Sequence, residues 1–341
     1  MEQYDSASKG DDVFMKIFKY YKCNKPKPSL SNVLSVECSN DKILSISSAN
    51  IKEDGRANLL GLKKVSEWNL YSFAQHPGLF LIKNPFTSLG QRYWIRKCLE
   101  EYPRKPNKLN IDIDIETKDW WAECFDAGKC DWQLQKKLRW TTLGYHHNWD
   151  TKVYSEKDKN VFPEDLAELS DVMAQYLGHE KFKAEAAIVN YYHMNSTLSA
   201  HTDHSEVNLE APLFSFSFGQ SAIFLLGGRE KSTEPSPILL TSGDVVIMSK
   251  EARCCYHAVP KILPSETSPW NEELQTVESI HTDFKYISNT KEVVEYMNQN
   301  IDNIEWRKYQ NYIAHARINI NVRQVLYDKQ KSLTDSHFIK E

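Results

Sequence analysis

From residue 185 onward the sequence is a series of short apolar segments separated by turn residues, and this pattern restricts the fold more than any other feature. Six segments have the length and composition of β-strands: 185–192, 213–218, 222–226, 244–248, 256–259 and 316–325. Many short strands with turn residues between them are typical of an all-β barrel or jelly roll. A polar segment, 264–312, interrupts the series and ends in a helix-like stretch, 291–312.

The first half of the chain has a different texture. Apolar residues recur at helical spacing over 14–21, after an expected cap at Asp11 or Asp12, and again over 84–102 and 164–177. Residues 23–58 show no sustained periodicity and are expected to form a loop. The first helix has a broad apolar face, which favours packing on the core. Its other face could contact nucleic acid through Lys16, Lys19 and Lys22.

The strand near the carboxyl end has two chemically different faces. Side chains alternate along a strand, so Ile318, Ile320 and Val322 face one way. The opposite face carries two arginines and two amides: Arg317, Asn319, Asn321 and Arg323. A solvated outer face would fit an ordinary sheet. If the polar face is internal, it requires an anionic partner, and bidentate arginine contacts would suit a dicarboxylate.

Candidate metal ligands are a His-x-Asp pair and one distant histidine. From 11 histidines and 46 acidic residues in 341 positions, composition predicts about one or two His-x-acid triplets, and three exist, beginning at His201, His204 and His281. His201 and Asp203 follow a predicted strand, and His257 follows the Ser242–Asp244 turn and another strand, so a jelly roll could bring them to one mouth. We therefore predict that His201, Asp203 and His257 bind a metal, against the alternative of unrelated surface histidines.

Charge and cysteine content exclude several classes of protein. A formal net charge of -4 does not fit a uniformly basic nucleic-acid coat, although local basic patches remain compatible with it. Seven cysteines without a C-x-x-C pair fit neither a zinc ribbon nor a secreted disulfide framework, and they favour a reducing compartment. The amino terminus has no signal-like apolar segment, and 211–228 has strand periodicity. We expect a soluble protein with no membrane partner.

The motifs taken in chain order resemble the AlkB family of Fe(II)/2-oxoglutarate dioxygenases. The resemblance rests on Asn190-x-Tyr192, His201-x-Asp203, Ser242-Gly243-Asp244, His257 and Arg317-x-Asn319-x-x-x-Arg323. It is strongest to the eukaryotic homologue 1 group and spans nearly the whole chain, but it does not extend beyond about Asp328. The fold that it implies is α+β: a double-stranded β-helix (jelly-roll) catalytic core with an N-terminal helical extension and a substrate-recognition region.

The resemblance also implies a cofactor set and a reaction. Fe(II) would be bound by His201, Asp203 and His257, with O2 as cosubstrate. By similarity, Arg317 would bind the distal carboxylate of 2-oxoglutarate with help from Tyr192 and Asn319, while Asn190 and Arg323 would lie near its metal-proximal end. An N-methyl group on a base would become N-hydroxymethyl and leave as formaldehyde, with succinate and CO2 as the other products.

The resemblance places base recognition before the β-rich region. The expected substrate-binding residues are Trp121, Tyr145, His146, His147 and Asn148, although packing is the commoner role for a single tryptophan. Six basic residues could follow phosphates: Arg92, Arg96, Lys97, Lys136, Lys137 and Arg139. The bacterial founder of the family has a carboxylate two residues after the ligand aspartate, where this chain has Ser205, so base selectivity cannot be carried across.

The implied partner is nucleic acid, either tRNA or DNA with unpaired bases. The candidate reactions are demethylation of N1-methyladenine in tRNA, demethylation of N6-methyladenine in DNA, and oxidation of 5-methylcytosine in tRNA. A protein hydroxylase or demethylase would share the metal ligands, and a nucleic-acid-binding protein with an inactive site is a third reading. No obligate protein partner can be inferred.

We divide the chain into four segments: an N-terminal extension (1–83), a substrate-recognition region (84–180), a jelly-roll core (181–328, with the insertion 264–312) and a charged tail (329–341). The family resemblance implies a location in the nucleus, the mitochondrion or both, with the cytoplasm as a further option.

Overall fold

The computed structural model of the protein describes residues 12–38, 40–47, 53–125, 130–278 and 283–335. Two positions considered from the sequence, Asp11 and His281, lie outside these residues.

The chain alternates helices and strands in its first half and is mainly β in its second. The α-helices are α1 (Val13–Lys22), α2 (Arg56–Leu59), α3 (Ser88–Arg96), α4 (Trp120–Glu123), α5 (Trp132–Lys137), α6 (Glu164–Tyr176), α7 (Thr290–Gln299) and α8 (Asn303–Ile313). The strands are β1 (Ile43–Ile46), β2 (Asn69–Phe73), β3 (Leu79–Lys83), β4 (Lys108–Leu109), β5 (Trp140–Gly144), β6 (Ala186–His193), β7 (Leu198–His201), β8 (Leu213–Gly219), β9 (Ser221–Leu226), β10 (Ser236–Leu240), β11 (Val245–Met248), β12 (His257–Leu263) and β13 (Ala316–Arg323).

These strands form two antiparallel sheets. The larger sheet has the order β1-β2-β3-β11-β8-β13-β6-β5-β4, and the smaller sheet has the order β10-β9-β12-β7. Apolar side chains of both sheets, among them Leu81, Phe224 and Met248, share one buried cluster. This arrangement is the jelly roll expected from the short strands, joined with helices into an α+β fold.

Two further apolar layers cover the outer faces of the sheets. The other face of the large sheet, including Ile318, Ile320 and Val322, belongs to a cluster that also contains α3, α6, α7 and α8 side chains. On the small sheet, Phe14, Phe18 and Tyr21 of α1 pack against Ile223, Leu225 and Ala258. The packing role of α1 is therefore confirmed, and its N-cap is Asp12, whose carboxylate accepts from the Met15 amide at 2.8 Å.

All six strands predicted after residue 185 are present, with bounds that differ by a few residues. The strands that sequence periodicity missed are β1 to β5, β7 and β10. β7 has only four residues and β10 contains Pro237, so neither shows the alternation on which the prediction depends. The large sheet also receives β1, β2 and β3 from the N-terminal extension, and β3 pairs directly with β11.

The structure refines one prediction about a helical stretch and corrects one about a loop. The stretch 291–312 is two helices, because Asp302 caps α8 by accepting from the Ile304 and Glu305 amides. Residues 23–58 are not entirely loop, since they contain β1 and the beginning of α2. The periodicity of a four-residue element is too short to be recognised.

No helix within the described ranges combines the length and apolar composition needed to cross a lipid bilayer. All seven cysteines are free thiols.

Candidate active site

Strand pairing in the small sheet brings the three candidate metal ligands together. β7 and β12 are antiparallel, and His201 is the register partner of His257. Their rings lie 4.2 Å apart between centroids. Asp203 follows β7 by two residues, and its Oδ2 is 3.6 Å from His257 Nε2. One potential ligand atom from each residue lies within 4.8 Å of the others, which is the spacing of a shared metal ion.

Backbone carbonyls orient both imidazoles. His201 Nδ1 is 2.9 Å from the Ser199 carbonyl, and His257 Nδ1 is 3.1 Å from the Cys255 carbonyl. An Nδ1–H that donates to a carbonyl leaves the Nε2 lone pair available for a metal. Burial, and then the neighbouring His201, lowers the pKa of His257 to about 4. His257 is therefore neutral at physiological pH, which is the form that binds a metal.

The third candidate ligand is held as a carboxylate. Burial alone would raise the pKa of Asp203, but Arg323 and the two histidines outweigh it and hold this pKa well below its usual range. Arg323 donates to Asp203 Oδ1 at 3.0 Å, so the other carboxylate oxygen is left to face the histidines. Two imidazoles and one carboxylate form the donor set of a non-haem Fe(II) facial triad.

A buried network of charged side chains lies next to Asp203 and helps to fix its position. Glu206 accepts from Arg323 Nε at 3.1 Å and from an Arg253 guanidinium nitrogen at 2.9 Å. Tyr154 donates to Glu206 at 3.1 Å, and Arg253 also donates to the Asp203 carbonyl at 2.7 Å. Sequence reasoning placed Glu206 only in the His-x-acid triplet beginning at His204 and gave Arg253 and Tyr154 no role at the site, because partners this far apart in the chain leave no local pattern.

The polar face of β13 is internal. β13 lies between β6 and β8, and its register sets Arg317 beside Tyr192 and Asn319 beside Asn190. All four residues line the cavity that also contains the three candidate ligands. The solvated-face alternative is excluded, because Arg317 and Asn319 are only 2% and 8% exposed.

Arg317 is a buried cation without an acidic partner among the described residues. It donates to Ser217 Oγ at 2.7 Å and to the Gln220 carbonyl at 3.2 Å, while its Nε has no hydrogen-bond partner. Burial lowers its pKa to about 10. An unpaired buried charge costs free energy unless a partner neutralises it. This geometry therefore fits a carboxylate-bearing cosubstrate such as 2-oxoglutarate.

The cavity has a volume of about 630 Å³ and an aromatic and basic rim. His147, Trp149, Lys152 and Tyr154 come from one loop and line it. The His147 ring is 4.7 Å from Trp149 and 5.6 Å from Tyr154 between centroids, and the Lys152 ammonium is 5.7 Å from the Trp149 ring centroid. Of these four residues, only His147 was assigned to substrate binding from the sequence.

The other four residues expected to bind substrate do not line this cavity. Trp121 is buried and stacks on Tyr309 at 5.4 Å. Tyr145 donates to Glu156. His146 is held between Thr142 and Asn160 at 2.7 and 2.6 Å. Asn148 accepts from the Asp150 and Thr151 amides in a turn. These four side chains make internal contacts, and their assignment to substrate binding, which rests on the family resemblance, stays a prediction.

The basic residues of α3 and the turn after it do not form a phosphate path. Arg92 is buried and donates to the Trp270 and Asn300 carbonyls, and burial lowers its pKa to about 10. Arg96 pairs with Glu100, and Lys97 pairs with Asp165. Residues of the insertion 264–312 pack over all three side chains, with Trp306 next to Arg92 and Tyr296 next to Arg96 and Lys97. Lys136, Lys137 and Arg139 are exposed.

The Ser242-Gly243-Asp244 motif has a structural role in this fold. Gly243 has a φ of +86°, and a Cβ there would lie 2.0 Å from Asn84 Oδ1. Asp244 accepts from the Thr241 and Asn84 amides and lies 3.4 Å from Lys83 Nζ. The motif therefore builds the turn before β11.

With this geometry established, comparison with known proteins defines the class. Residues 78–323 match the family model described as the 2OG-Fe(II) oxygenase superfamily. The chain belongs to this superfamily, and its cofactors are Fe(II) and 2-oxoglutarate, with O2 as cosubstrate.

Curated relatives narrow the class to the AlkB family. The chain is 36% identical to human "Nucleic acid dioxygenase ALKBH1" over 94% of its own length and 86% of that protein. It is 28% identical to Arabidopsis thaliana "DNA N(6)-methyladenine demethylase ALKBH1A", covering 94% of this chain and 99% of that one. It is 36% identical to Schizosaccharomyces pombe "tRNA demethylase abh1", and the match covers 58% of this chain and 72% of that protein. The chain is thus an AlkB-family Fe(II)/2-oxoglutarate dioxygenase.

Proposed function

We propose that this enzyme oxidatively demethylates bases in nucleic acid, releasing formaldehyde, succinate and CO2. The observation that supports this best is one cavity with three parts: a His-Asp-His donor set, the unpaired Arg317 and an aromatic, basic rim. The first two parts suit the cofactors, and the third suits a flat base on a polyanion.

In this proposal each residue has a defined task. His201, Asp203 and His257 hold Fe(II), which supplies oxidation of a C–H bond by O2 coupled to decarboxylation of 2-oxoglutarate. Arg317 binds the distal carboxylate of the cosubstrate, with Tyr192 and Asn319 beside it. Asn190 and Arg323 lie toward the other end, where Arg323 also fixes Asp203 by ion pairing.

The rim would bind the methylated base. Trp149 is 40% exposed at the mouth of the cavity, so its ring is available for stacking, and Lys152 beside it supplies a cation for a phosphate. His147 packs against Trp149 and Tyr154, and it fixes the orientation of these rings. A base must be unstacked to enter such a cavity, which favours unpaired or structured strands over continuous duplex.

The choice of substrate rests on the relatives. Their names give nucleic acid, tRNA and DNA as substrates. We propose tRNA, DNA with unpaired bases, or both. The candidate marks are N1-methyladenine and N6-methyladenine, with oxidation of 5-methylcytosine as a further reaction on the same scaffold.

The decisive experiment measures loss of methyl marks by mass spectrometry together with succinate formation. The substrates are N1-methyladenine tRNA and N6-methyladenine DNA in bulged, single-stranded and duplex forms, with His201→Ala as the control. We expect turnover on at least one of these substrates, and we expect His201→Ala to abolish that turnover. Succinate formation without demethylation of any of them would overturn the nucleic-acid assignment and direct the search to methylated peptides.

We also propose the division into an N-terminal extension (1–83), a recognition region (84–180), a catalytic core (181–328) and a tail (329–341). The proposed location is the nucleus, the mitochondrion or both, and imaging of the tagged full chain tests it. Exclusion of the protein from both compartments would contradict this location.

A further inference from the structure

A second pocket lies beside the candidate active site and has no role in the reaction described above. Its volume is about 730 Å³, and its walls come from α5, the end of β6, the turn after β6 and the end of α8. The turn is shared between the two cavities. His193 and Ser196 line the second pocket, whereas Thr197 and Leu198 line the first.

The pocket is positively charged. Lys136, Lys137 and Arg139 line it, and no carboxylate is present among its described lining residues. Arg139 is positioned by a 2.7 Å hydrogen bond to Ser196 Oγ, and Ser196 Oγ in turn accepts from the His193 amide at 3.0 Å. A cluster of cations without acids on the wall favours an anion such as a phosphate.

Three residues of the pocket wall carry buried polar atoms without partners. Within the described part of the chain, Gln135 Oε1, Tyr312 Oη and His193 Nε2 are buried and have no hydrogen-bond partner. Gln135 and Tyr312 are 2% and 3% exposed. Buried polar atoms are nearly always hydrogen-bonded, so three of them in one cavity indicate a ligand with donors and acceptors of its own.

An aromatic surface completes the site. Trp132 is 48% exposed at the pocket wall, and Tyr312 closes the inner side. Burial, and then Arg139 and Lys136, lowers the pKa of His193 to about 4, so its ring is neutral at physiological pH and can pair with a neutral base edge.

We propose that this pocket binds a second nucleotide of the substrate strand, with its base against Trp132 and its phosphate at Lys136, Lys137 and Arg139. This inference rests on the proposed function, because it assigns the pocket to the strand whose methylated base enters the first cavity. Gln135, His193 and Tyr312 supply hydrogen bonds to the bound base. Because the turn after β6 lies between the two cavities, the two bound nucleotides would lie on opposite sides of this turn.

The test is a fluorescence anisotropy titration of the full chain with a short, labelled, unpaired RNA strand. Trp132→Ala should weaken binding by about fivefold or more, as expected for one lost base–aromatic stack. Lys137→Glu should reduce the slope of log affinity against log salt by about one. Lys118→Glu makes the same charge change at an exposed position outside both pockets and should leave affinity unchanged.

Gln135→Leu guards against misfolding as an explanation. It removes the unpartnered acceptor at similar volume, so it should weaken strand binding without lowering the unfolding temperature. AMP and inorganic phosphate, added as competitors, separate the possible sources of the ligand. Unchanged strand affinity in Trp132→Ala and Lys137→Glu overturns the proposal. Loss of AMP binding in Trp132→Ala with unchanged strand affinity also overturns it, and assigns the pocket to a free nucleotide.

Turnover measurements distinguish this proposal from the proposed function. Trp132→Ala should raise KM for methylated RNA and leave kcat unchanged, because the first cavity is intact. If no methylated nucleic acid is a substrate but the strand still binds through Trp132, the proposed function fails and the second pocket stands.

Discussion

Two arginines on the same face of β13 sit in opposite electrostatic situations. Arg323 is paired with Asp203 and Glu206, and although burial opposes it, these partners raise its pKa above the usual value. Arg317, six residues earlier, has no acidic partner among the described residues, and burial lowers its pKa to about 10. One strand therefore contains one arginine whose charge is neutralised within the folded protein and one arginine whose charge is available to a ligand. The two should respond differently to the same substitution.

The largest effect on stability is expected from Arg323→Met. Removing one partner of a buried ion pair leaves an uncompensated charge, so the free energy of unfolding should fall by about 3–5 kcal/mol. Urea denaturation measures this. Arg104→Met is the matched control, because its pair with Asp119 is partly exposed and should contribute only about 0–1 kcal/mol. Equal losses in the two variants would contradict the assignment of Arg323 to the scaffold.

Arg317→Met should produce the reverse pattern. Loss of a buried charge contact should weaken 2-oxoglutarate binding by about 2–5 kcal/mol, while the ligand-free protein keeps or gains stability. Calorimetric titration of 2-oxoglutarate with Mn(II) in place of Fe(II) measures the affinity. Arg317→Lys keeps the charge but loses the planar guanidinium. Its affinity for 2-oxoglutarate should therefore lie between that of the unsubstituted protein and that of Arg317→Met. A large loss of stability in ligand-free Arg317→Met would show that Arg317 is part of the scaffold as well.

Glu206→Gln tests the ion-pair network around Arg323. It removes the charge that Arg323 and Arg253 share but keeps an acceptor, so the expected cost is about 1–3 kcal/mol in urea denaturation. Tyr154→Phe removes only the hydrogen bond to Glu206 and should cost about 1 kcal/mol. Strict additivity in the double variant would mean that Tyr154 and Glu206 do not act as one network.

The smallest effect concerns pH. Burial, and then the charge of Arg323, lowers the pKa of His147 to about 4, below its unfolded value of about 6.5. Between these values the unfolded chain binds more protons, so stability falls as pH drops from 6.5 to 4. His147 is only partly buried, so solvent screening limits its contribution to about 1 kcal/mol or less. His147→Phe should make this decline shallower in acid titrations followed by circular dichroism. An identical decline in both proteins would mean that His147 titrates normally.

The sequence could predict the residues that lie in a local pattern, and it could not predict those whose role depends on tertiary packing. His201, Asp203, His257 and the polar face of β13 were identifiable because each follows a strand or alternates along one. The pairing of Glu206 with Arg253 was not, since the two meet across 47 residues and the His-x-acid triplet that contains Glu206 does not indicate this partner. Arg92 was misread for a related reason. Its helical position resembles a surface site, and only the packing of the insertion shows that it is buried.

The small sheet ends at β7, a four-residue strand that pairs only with β12 within the described residues. His201 is the last residue of this edge strand, and Asp203 follows it. Short edge strands open at low free-energy cost, so we expect low local stability where two of the three candidate ligands lie. A metal that binds only the closed form would slow amide hydrogen exchange in β7 far more than in central β13. Metal affinity and the local opening of one strand would then be coupled equilibria.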